Sequence, residues 1–479
     1  MLVTNKITLA QCIELAVRNN LDVQISRLGP DISTFNLQGS YGVYDPNLQV
    51  TVGASGGSRP AGIDEQGRVF GSSSYNTTFY GSDGAFLGGN LPVAGMSYRI
   101  GFGFSENETV TGTNALTQYS GTAALSEIRL PLMRDFWIDQ YRTTIEINRE
   151  NLNRSELDLQ LQIMNILLRV EQAYYDLIYA REFIRVQKTA FEAADRLLQE
   201  NRKRVEVGAM APLEEKSAQA QAAASRAALI AAEGDYGTRM RILKNLITDD
   251  YSPMREIELM PIEDLGAIPS RPQVQDSWLK GLTLRPDLEQ LRLGLRQQNI
   301  QIRYLKNQLF PVLDLVGSYG QSSRRSTGFN DVFTDIGQGA NPDHRILVTF
   351  SMPLGNRSAR NNLRAQRAEL DQALLNLKKQ EQLVMVEIDN AIAVIRTSFE
   401  RVGATKQARE FAKDAWDAEQ KKLDSGKSTS YEVLLKQRDY IRTLSDEIQA
   451  LSDYNKALAD LSFREGTILE RHNIGLAIR

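Results

Sequence analysis

The residues of this sequence best suited to chemistry are few, and their spacing argues against catalysis. Gly426-Lys427-Ser428 has the ending of a phosphate-binding loop, but that loop needs a glycine five positions earlier, where Lys421 stands. The tripeptide also falls between two helical patterns, not after a strand. Paired acids such as Glu214-Glu215 have the right groups for general acid and base work, yet adjacent carboxylates are ordinary on a solvated helix. The two histidines, His344 and His472, lie far apart, and Cys12 is the one cysteine. A zinc site of Cys and His ligands, or an internal disulfide, would need more residues than these. Neither H-E-x-x-H nor G-x-S-x-G occurs. No catalytic residue, cofactor site or metal ligand is assigned, and an enzyme is not expected.

The elements that would have to position any site are more informative. Short stretches recur along the chain: Asn20-Leu21-Asp22-Val23 matches Arg285-Pro286-Asp287-Leu288, a shift of 265 positions that also carries Asp45-Pro46-Asn47-Leu48 onto Phe310-Pro311-Val312-Leu313. Leu130-Pro131-Leu132 recurs 222 positions on as Met352-Pro353-Leu354. Arg204-Val205-Glu206-Val207-Gly208 recurs 218 positions on as Lys422-Leu423-Asp424-Ser425-Gly426. Such repetition constrains a fold more than a single motif does. The fall from 265 to 222 makes the first strand loop 43 residues longer than the second.

Thr8 can cap a helix over 8–40, with Leu9, Ile13, Ala16 and Val17 on one face. Leu48, Val50, Val52 and Ala54 alternate as a strand after Asp45-Pro46, residues 55–75 read as a Gly- and Ser-rich loop, and Tyr98, Ile100, Phe102 and Phe104 alternate again. Pro131 closes a strand over 119–130, because it cannot donate to a ladder. From 135 to 207, Ile163, Val170, Leu177, Ile184, Phe191, Leu198 and Val205 keep an unbroken seven-residue period. That period predicts a coiled-coil helix of roughly 105 Å at ~1.5 Å per residue. Gly208 ends it, and Pro212 opens an alanine-rich return. The chain thus divides into a first repeat at 1–248 (helix, strands within 46–131, long helix 135–207, return helix 213–248) and an irregular connector at 249–272. A second repeat follows at 273–468 (helix 275–308, strands 311–320 and 344–354, long helix 357–424, return helix 430–465), then a tail at 469–479.

Composition sets outer limits. Hydrophobic residues make up 42% and charged ones 24%, with a net charge of −3, so no long-range field attracts nucleic acid and no such partner is expected. No window of about 18 apolar residues exists for a transmembrane helix. Barrel strands alternate and escape that average. The first residues, Met1 to Lys6, lack the apolar run of a signal peptide, which an exported protein would carry outside this sequence. Gln11 is too large for a lipidation box before Cys12, which reads as a small buried helix residue.

In Ile7-Thr8-Leu9-Ala10, Ala16-Val17-Arg18-Asn19-Asn20, Gln172-Ala173-Tyr174-Tyr175-Asp176-Leu177, Arg285-Pro286-Asp287-Leu288 and the two glycine turns, the sequence resembles the outer-membrane efflux protein (TolC) family over nearly its full length. The resemblance implies a mixed α and β membrane protein: a homotrimer with about four strands per protomer in one outer-membrane β-barrel, continuous with a periplasmic α-helical coiled-coil barrel. It implies a passive duct for a tripartite efflux or type I secretion system, with outer-membrane lipid, a periplasmic adaptor (membrane fusion) protein and an inner-membrane pump as partners. Pore-narrowing acids in the family sit six residues past each turn glycine, here Glu214 and Glu432, with Lys427 a candidate partner at the constriction. Adaptor contact would fall on Arg204, Val207, Gly208, Ala209, Gly426 and Ser428. A Tyr and an Arg that lock some relatives correspond to Leu423 and Ser428, so that lock is not carried over. Segment 57–118 departs from the family pattern as an extended outer loop, longer strands or an extra hairpin. The alternative from another class is a structural coiled-coil or filament-forming protein without transport activity.

Overall fold

The computed structural model describes residues 3–59, 62, 65–67, 73–111, 114–208 and 210–475. The first half runs β1 (Val3–Ile7), α1 (Leu9–Asn19), α2 (Leu21–Ser40), a 3-10 turn (Tyr41–Tyr44), β2 (Asn47–Val50), β3 (Gly53–Arg59), β4 (Ser73–Asn90), β5 (Ser97–Thr111), β6 (Asn114–Pro131), α3 (Gln140–Glu206) and α4 (Pro212–Ile247). Then come α5 (Tyr251–Met254), β7 (Ile257–Pro261), α6 (Val274–Leu284), α7 (Pro286–Asn307), β8 (Val312–Arg325), α8 (Phe329–Gln338), β9 (Pro342–Ser351), α9 (Arg357–Asp424), α10 (Ser430–Arg464) and α11 (Ile468–Arg471). Two compact units result: one holds 1–31, 154–292 and 375–479, the other 32–153 and 293–374. Among the described residues no helix is long and apolar enough to cross a membrane.

The first unit is helical. Thr8 and Gln11 form a reciprocal capping box at α1, which buries Cys12, Ile13 and Ala16. The single helix expected over 8–40 is broken at Asn20, whose Oδ1 accepts from the backbone N–H of Asp22 (2.9 Å) and Val23 (3.2 Å). A side chain that supplies these acceptors competes with the helical ladder. The helix expected over 275–308 breaks likewise at Arg285, because Pro286 has no N–H and restricts the residue before it. Val23 and Leu288, just past these breaks, are both fully buried. Ile163, Ile166, Leu167, Val170, Tyr174 and Leu177 of α3 pack with Cys12, Ile13, Val23, Leu243 and Leu259 in the main core.

The connector is not wholly irregular. It contains α5 and β7, and β7 pairs in parallel with β1. The Tyr174 hydroxyl donates to the carbonyl of Ile7 (3.2 Å), and that of Tyr236 to Leu259 (2.9 Å), which explains a motif tyrosine by its anchoring role. Arg285 bridges three elements: its guanidinium meets Asp287 at 2.6 Å and Glu387 of α9 at 2.7 Å, and Arg464 of α10 meets Glu387 at 3.0 Å. Burial alone would push the Asp287 carboxyl up, but hydrogen bonds from Arg285 outweigh it and hold the group below its ordinary range.

The second unit is built on a seven-stranded sheet, antiparallel throughout, ordered β2-β4-β5-β6-β8-β9, with β3 beside β2 along the same edge of β4. The segment read as loop at 55–75 therefore contains β3 and the start of β4, and 57–118 supplies a long hairpin, so the sheet exceeds the four strands expected. Register fixes two faces, because successive side chains point oppositely. One face carries Leu48, Val50, Leu87, Ile100, Phe102, Ile346, Val348 and Phe350, all more than 40% exposed in the single chain. The other carries Thr77, Ser105, Asn107, Ser120 and the ion pair of Arg129 with Asp314 at 2.7 Å.

Arg285 gives a test of the first unit's packing. Arg285→Ala leaves the half-buried carboxylate of Asp287 without its cation and Glu387 with Arg464 alone, and is expected to cost about 3 kcal/mol. Because the Asp287 pKa is depressed, its contribution is complete above the unfolded value and fades as pH falls through the folded one. Thermal melts should show the variant well below wild type at pH 7 and the gap narrowing in acid. A gap independent of pH would mean that Asp287 does not share the bridge.

Candidate functional site

The two helix turns lie in the first unit and are built alike. Gly208 after α3 has φ 74° and Gly426 after α9 has φ 72°, left-handed positions that glycine adopts without steric penalty. The N–H of Gly426 donates to Leu423 (3.0 Å) and that of Lys427 to Lys422 (2.8 Å), closing the end of α9. Pro212 opens α4 at its first position. At α10 the Thr429 hydroxyl accepts from the N–H of Glu432 (3.3 Å). Glu214 and Glu432 thus occupy the first turns of their helices, where the positive end of the dipole favours an acid.

Beneath the second turn three helices meet. Leu197 of α3, Leu423 of α9 and Val433 of α10 form a small buried cluster with Trp416 and Leu434 against it. The buried hydroxyl of Ser430 lies 3.0 Å from Asn201 Oδ1, and Gln437 donates to the carbonyl of Ala190 (3.2 Å). A cavity of about 290 Å³ opens beside them, lined by Arg196, Glu200, Trp416, Asp417 and Gln420. Its indole stacks on Tyr440 with centroids 5.4 Å apart. Glu419 ties the turn together: it pairs with Lys422 at 2.8 Å and accepts from the Ser428 hydroxyl. Lys422 and then Ser428 hold its carboxyl below the ordinary range.

The residues singled out from sequence fall in different settings. Glu432 and Lys427 are exposed and Glu214 is half-buried. Val207, Gly208 and Gly426 are exposed and Arg204 is half-buried, while Ala209 lies outside the described residues. Ser428 is half-buried, with its hydroxyl turned inward onto Glu419. Among the described residues the ion pair at this turn is Lys422–Glu419, and none joins Lys427 to Glu214 within one chain. Glu419, Asn201 and Trp416 escaped sequence reading. Asn201 had a usable signal, since it continues the four- and three-residue steps of Val186, Ala190, Ala194 and Leu197, all buried. Those steps also place the buried seam of α3 beside the heptad line of Ile184, Phe191 and Leu198, which is only half-buried.

Helical hairpins with glycine turns, joined in one chain to an antiparallel sheet, have counterparts among known proteins. The profile of the outer membrane efflux protein family matches residues 95–248 and 280–466. The chain belongs to that family. Outer membrane protein TolC of Escherichia coli (strain K12) is 24% identical over 339 residues, which take in 67% of this chain and 65% of that protein. The chain thus spans just under two thirds of this relative. In fold it is similar to the CmeC outer membrane channel of Campylobacter jejuni, with a TM-score of 0.68 at 16% identity over 98% of this chain and 90% of that one. It is equally similar to the outer membrane protein VceC of Vibrio cholerae, with a TM-score of 0.68 at 16% identity over 96% of both chains. These likenesses establish the family's channel fold for the chain.

Glu419 makes the turn testable. Its depressed pKa means that its contribution is present above the unfolded value and lost as pH falls through the folded one. Glu419→Gln should therefore speed amide exchange across 422–433 at neutral pH, and wild type should approach the variant in acid. Hydrogen-exchange mass spectrometry at both pH values checks this, and identical exchange at pH 7 would show the turn held by its backbone alone.

Proposed function

We propose that the chain is the passive outer-membrane channel of a tripartite efflux or type I secretion system, working as a homotrimer. One observation carries the reading: a sheet apolar on one face and largely polar on the other, with open edges at β2–β3 and β9. Such a sheet suits a barrel wall with lipid outside and water inside, and in hydrocarbon its edges require partners. Cyclic association supplies them. The helices need neighbours too. On α2, Ile25, Leu28, Ile32 and Phe35 recur at three- and four-residue steps and are all exposed in one copy.

In this reading segments 1–248 and 273–468 are copies of one structural unit, joined by 249–272, and their helices form the periplasmic coiled-coil barrel. Three Glu432 carboxylates would ring the constriction, with Glu214 and Lys427 beside them, attracting cations by their summed charge. An adaptor protein would meet the turns at Arg204, Val207, Gly208, Ala209, Gly426 and Ser428, Ser428 mainly through its backbone. The pump would supply energy and cargo.

Two substitutions two residues apart separate assembly from folding. Val186 is buried within the protomer, so Val186→Asp should cost about 3 kcal/mol or more and lower the melting temperature. Ile184 is half-buried in one copy, so Ile184→Asp should leave the protomer folded but reduce trimer recovered in detergent. A stable wild-type monomer by mass would remove the trimer altogether. In planar bilayers Glu432→Gln should lower cation selectivity. Unchanged selectivity would place Glu432 on the outer surface and leave adaptor contact as its role.

A further inference from the structure

The extra length of the first strand loop does not all lie outside the sheet: it supplies β4 and β5, which are built into the sheet's middle. β4 and β5 lie between β2–β3 and β6, hydrogen-bonded on both sides. Since β2 and β3 share one edge of β4, the sheet has six strand positions. The shortest is β9 with 10 residues, while β4 has 18 and β5 has 15. About 9–11 tilted residues cross a hydrocarbon layer, so every position is long enough.

As far as Phe104 the inserted strands obey the same two-faced rule, and beyond it both faces are polar, with Glu106 and Glu108 on the side of Phe102. Leu87 and Ile100 pair across β4 and β5 on the face that bears Leu48 and Val348. Thr77 and Asn107 pair on the opposite face, where their side chains hydrogen-bond at 2.7 Å. α8 fastens the insertion to its neighbours. Val332 is fully buried over Gly121 of β6, where an added Cβ would come within 2.5 Å of its Cγ1. Phe333 meets Phe104 of β5 at 4.7 Å, Phe329 meets Tyr119 of β6 at 4.9 Å, and Asp335 accepts from Arg325 of β8 at 2.8 Å. One short helix thus pins β5, β6 and β8 together.

We propose that β4 and β5 are part of the barrel wall, so that three copies close an eighteen-stranded barrel, not a twelve-stranded one. The proposal rests on the trimeric outer-membrane reading above. Six is even, so β9 of one copy runs antiparallel to β2–β3 of the next and the ladder closes without a parallel seam. Barrel diameter grows roughly linearly with strand number, which makes this mouth about half again as wide as twelve strands allow. Barrels of 16–18 strands hold an open aqueous channel.

Single cysteines carrying a fluorophore test this in the trimer reconstituted into vesicles. The native Cys12 does not interfere, because burial pushes its thiol up to about 12. Labels at Leu87 and Phe102 should lose most of their emission to a lipid-borne nitroxide and little to aqueous iodide, with the reverse at Ser105 and Asn107. A label at Val348 of β9 serves as reference, since β9 belongs to the wall in either count. If Val348 is quenched from lipid but Leu87 and Phe102 are quenched from water, the hairpin stands outside the wall and this proposal alone falls. If Val348 too is quenched only from water, the membrane reading falls with it. Electron microscopy of the trimer gives an independent count: eighteen strands support the proposal and twelve overturn it.

Discussion

A strand edge has no tolerable place in hydrocarbon, because each unpaired N–H or C=O there costs several kcal/mol and no water is present to replace the partner. The sheet of this protein has two open edges, at β2–β3 and at β9, and in the membrane reading proposed above both require partners. In that reading a solitary protomer would not be stable in a bilayer, and the difference between the two faces makes the register strict. A slip of one residue would turn Ile346, Val348 and Phe350 of β9 onto the polar face and bring Arg345 and Thr349 to the apolar one. A bulge in β6, with one extra residue between Leu125 and Glu127, shifts its register against both β5 and β8 at the same level, so the alternation survives on both sides of the disturbance.

The helical unit meets a milder form of the same demand. A helix of 67 residues such as α3 cannot bury its whole circumference against its own chain. Its tip uses one seam, Val186 to Asn201, for contacts inside the protomer, and leaves the line through Ile184 and Phe191 half-covered. Where the chain must change direction, the devices are local and different. Asn20 diverts backbone donors with its side chain, whereas Pro286 removes a donor outright. Arg285 then converts the second break into a tie between α7 and α9.

How far this was legible depended on whether the signal was periodic. The heptads of α3, the glycines at 208 and 426 and the alternation of β5 are written in local spacing, and each fixes an element without knowledge of its neighbours. What spacing could not reveal was partnership. Residues 55–75 are rich in Gly and Ser and weak in β propensity, so β3 and the start of β4 exist because a neighbouring ladder holds them. β1 and β7 are five residues each and pair across some 250 positions, which leaves no short-range trace. The Arg285 motif was visible as a repeated word, but its meaning lay in Glu387, on another helix. At the candidate site the two acids and the turns were found, while Glu419 looked like one more helical carboxylate until the turn brought Ser428 onto it.

The acids at the turns illustrate why position alone does not establish a role. An acid in the first turn of a helix is favoured by the dipole whatever the protein does, so Glu432 would be unremarkable if its carboxylate were also needed as a cap. The comparison with α1 separates these uses. There the box is reciprocal, Thr8 accepting from Gln11 while the Gln11 side chain accepts in return. At α10 only the Thr429 half is made, and the Glu432 side chain is exposed. Its charge is therefore not spent on helix capping and is available to whatever faces the turn. If the wall has eighteen strands, the wide mouth offers little contact with a passing solute, and discrimination by size or charge has to come from the helix tips.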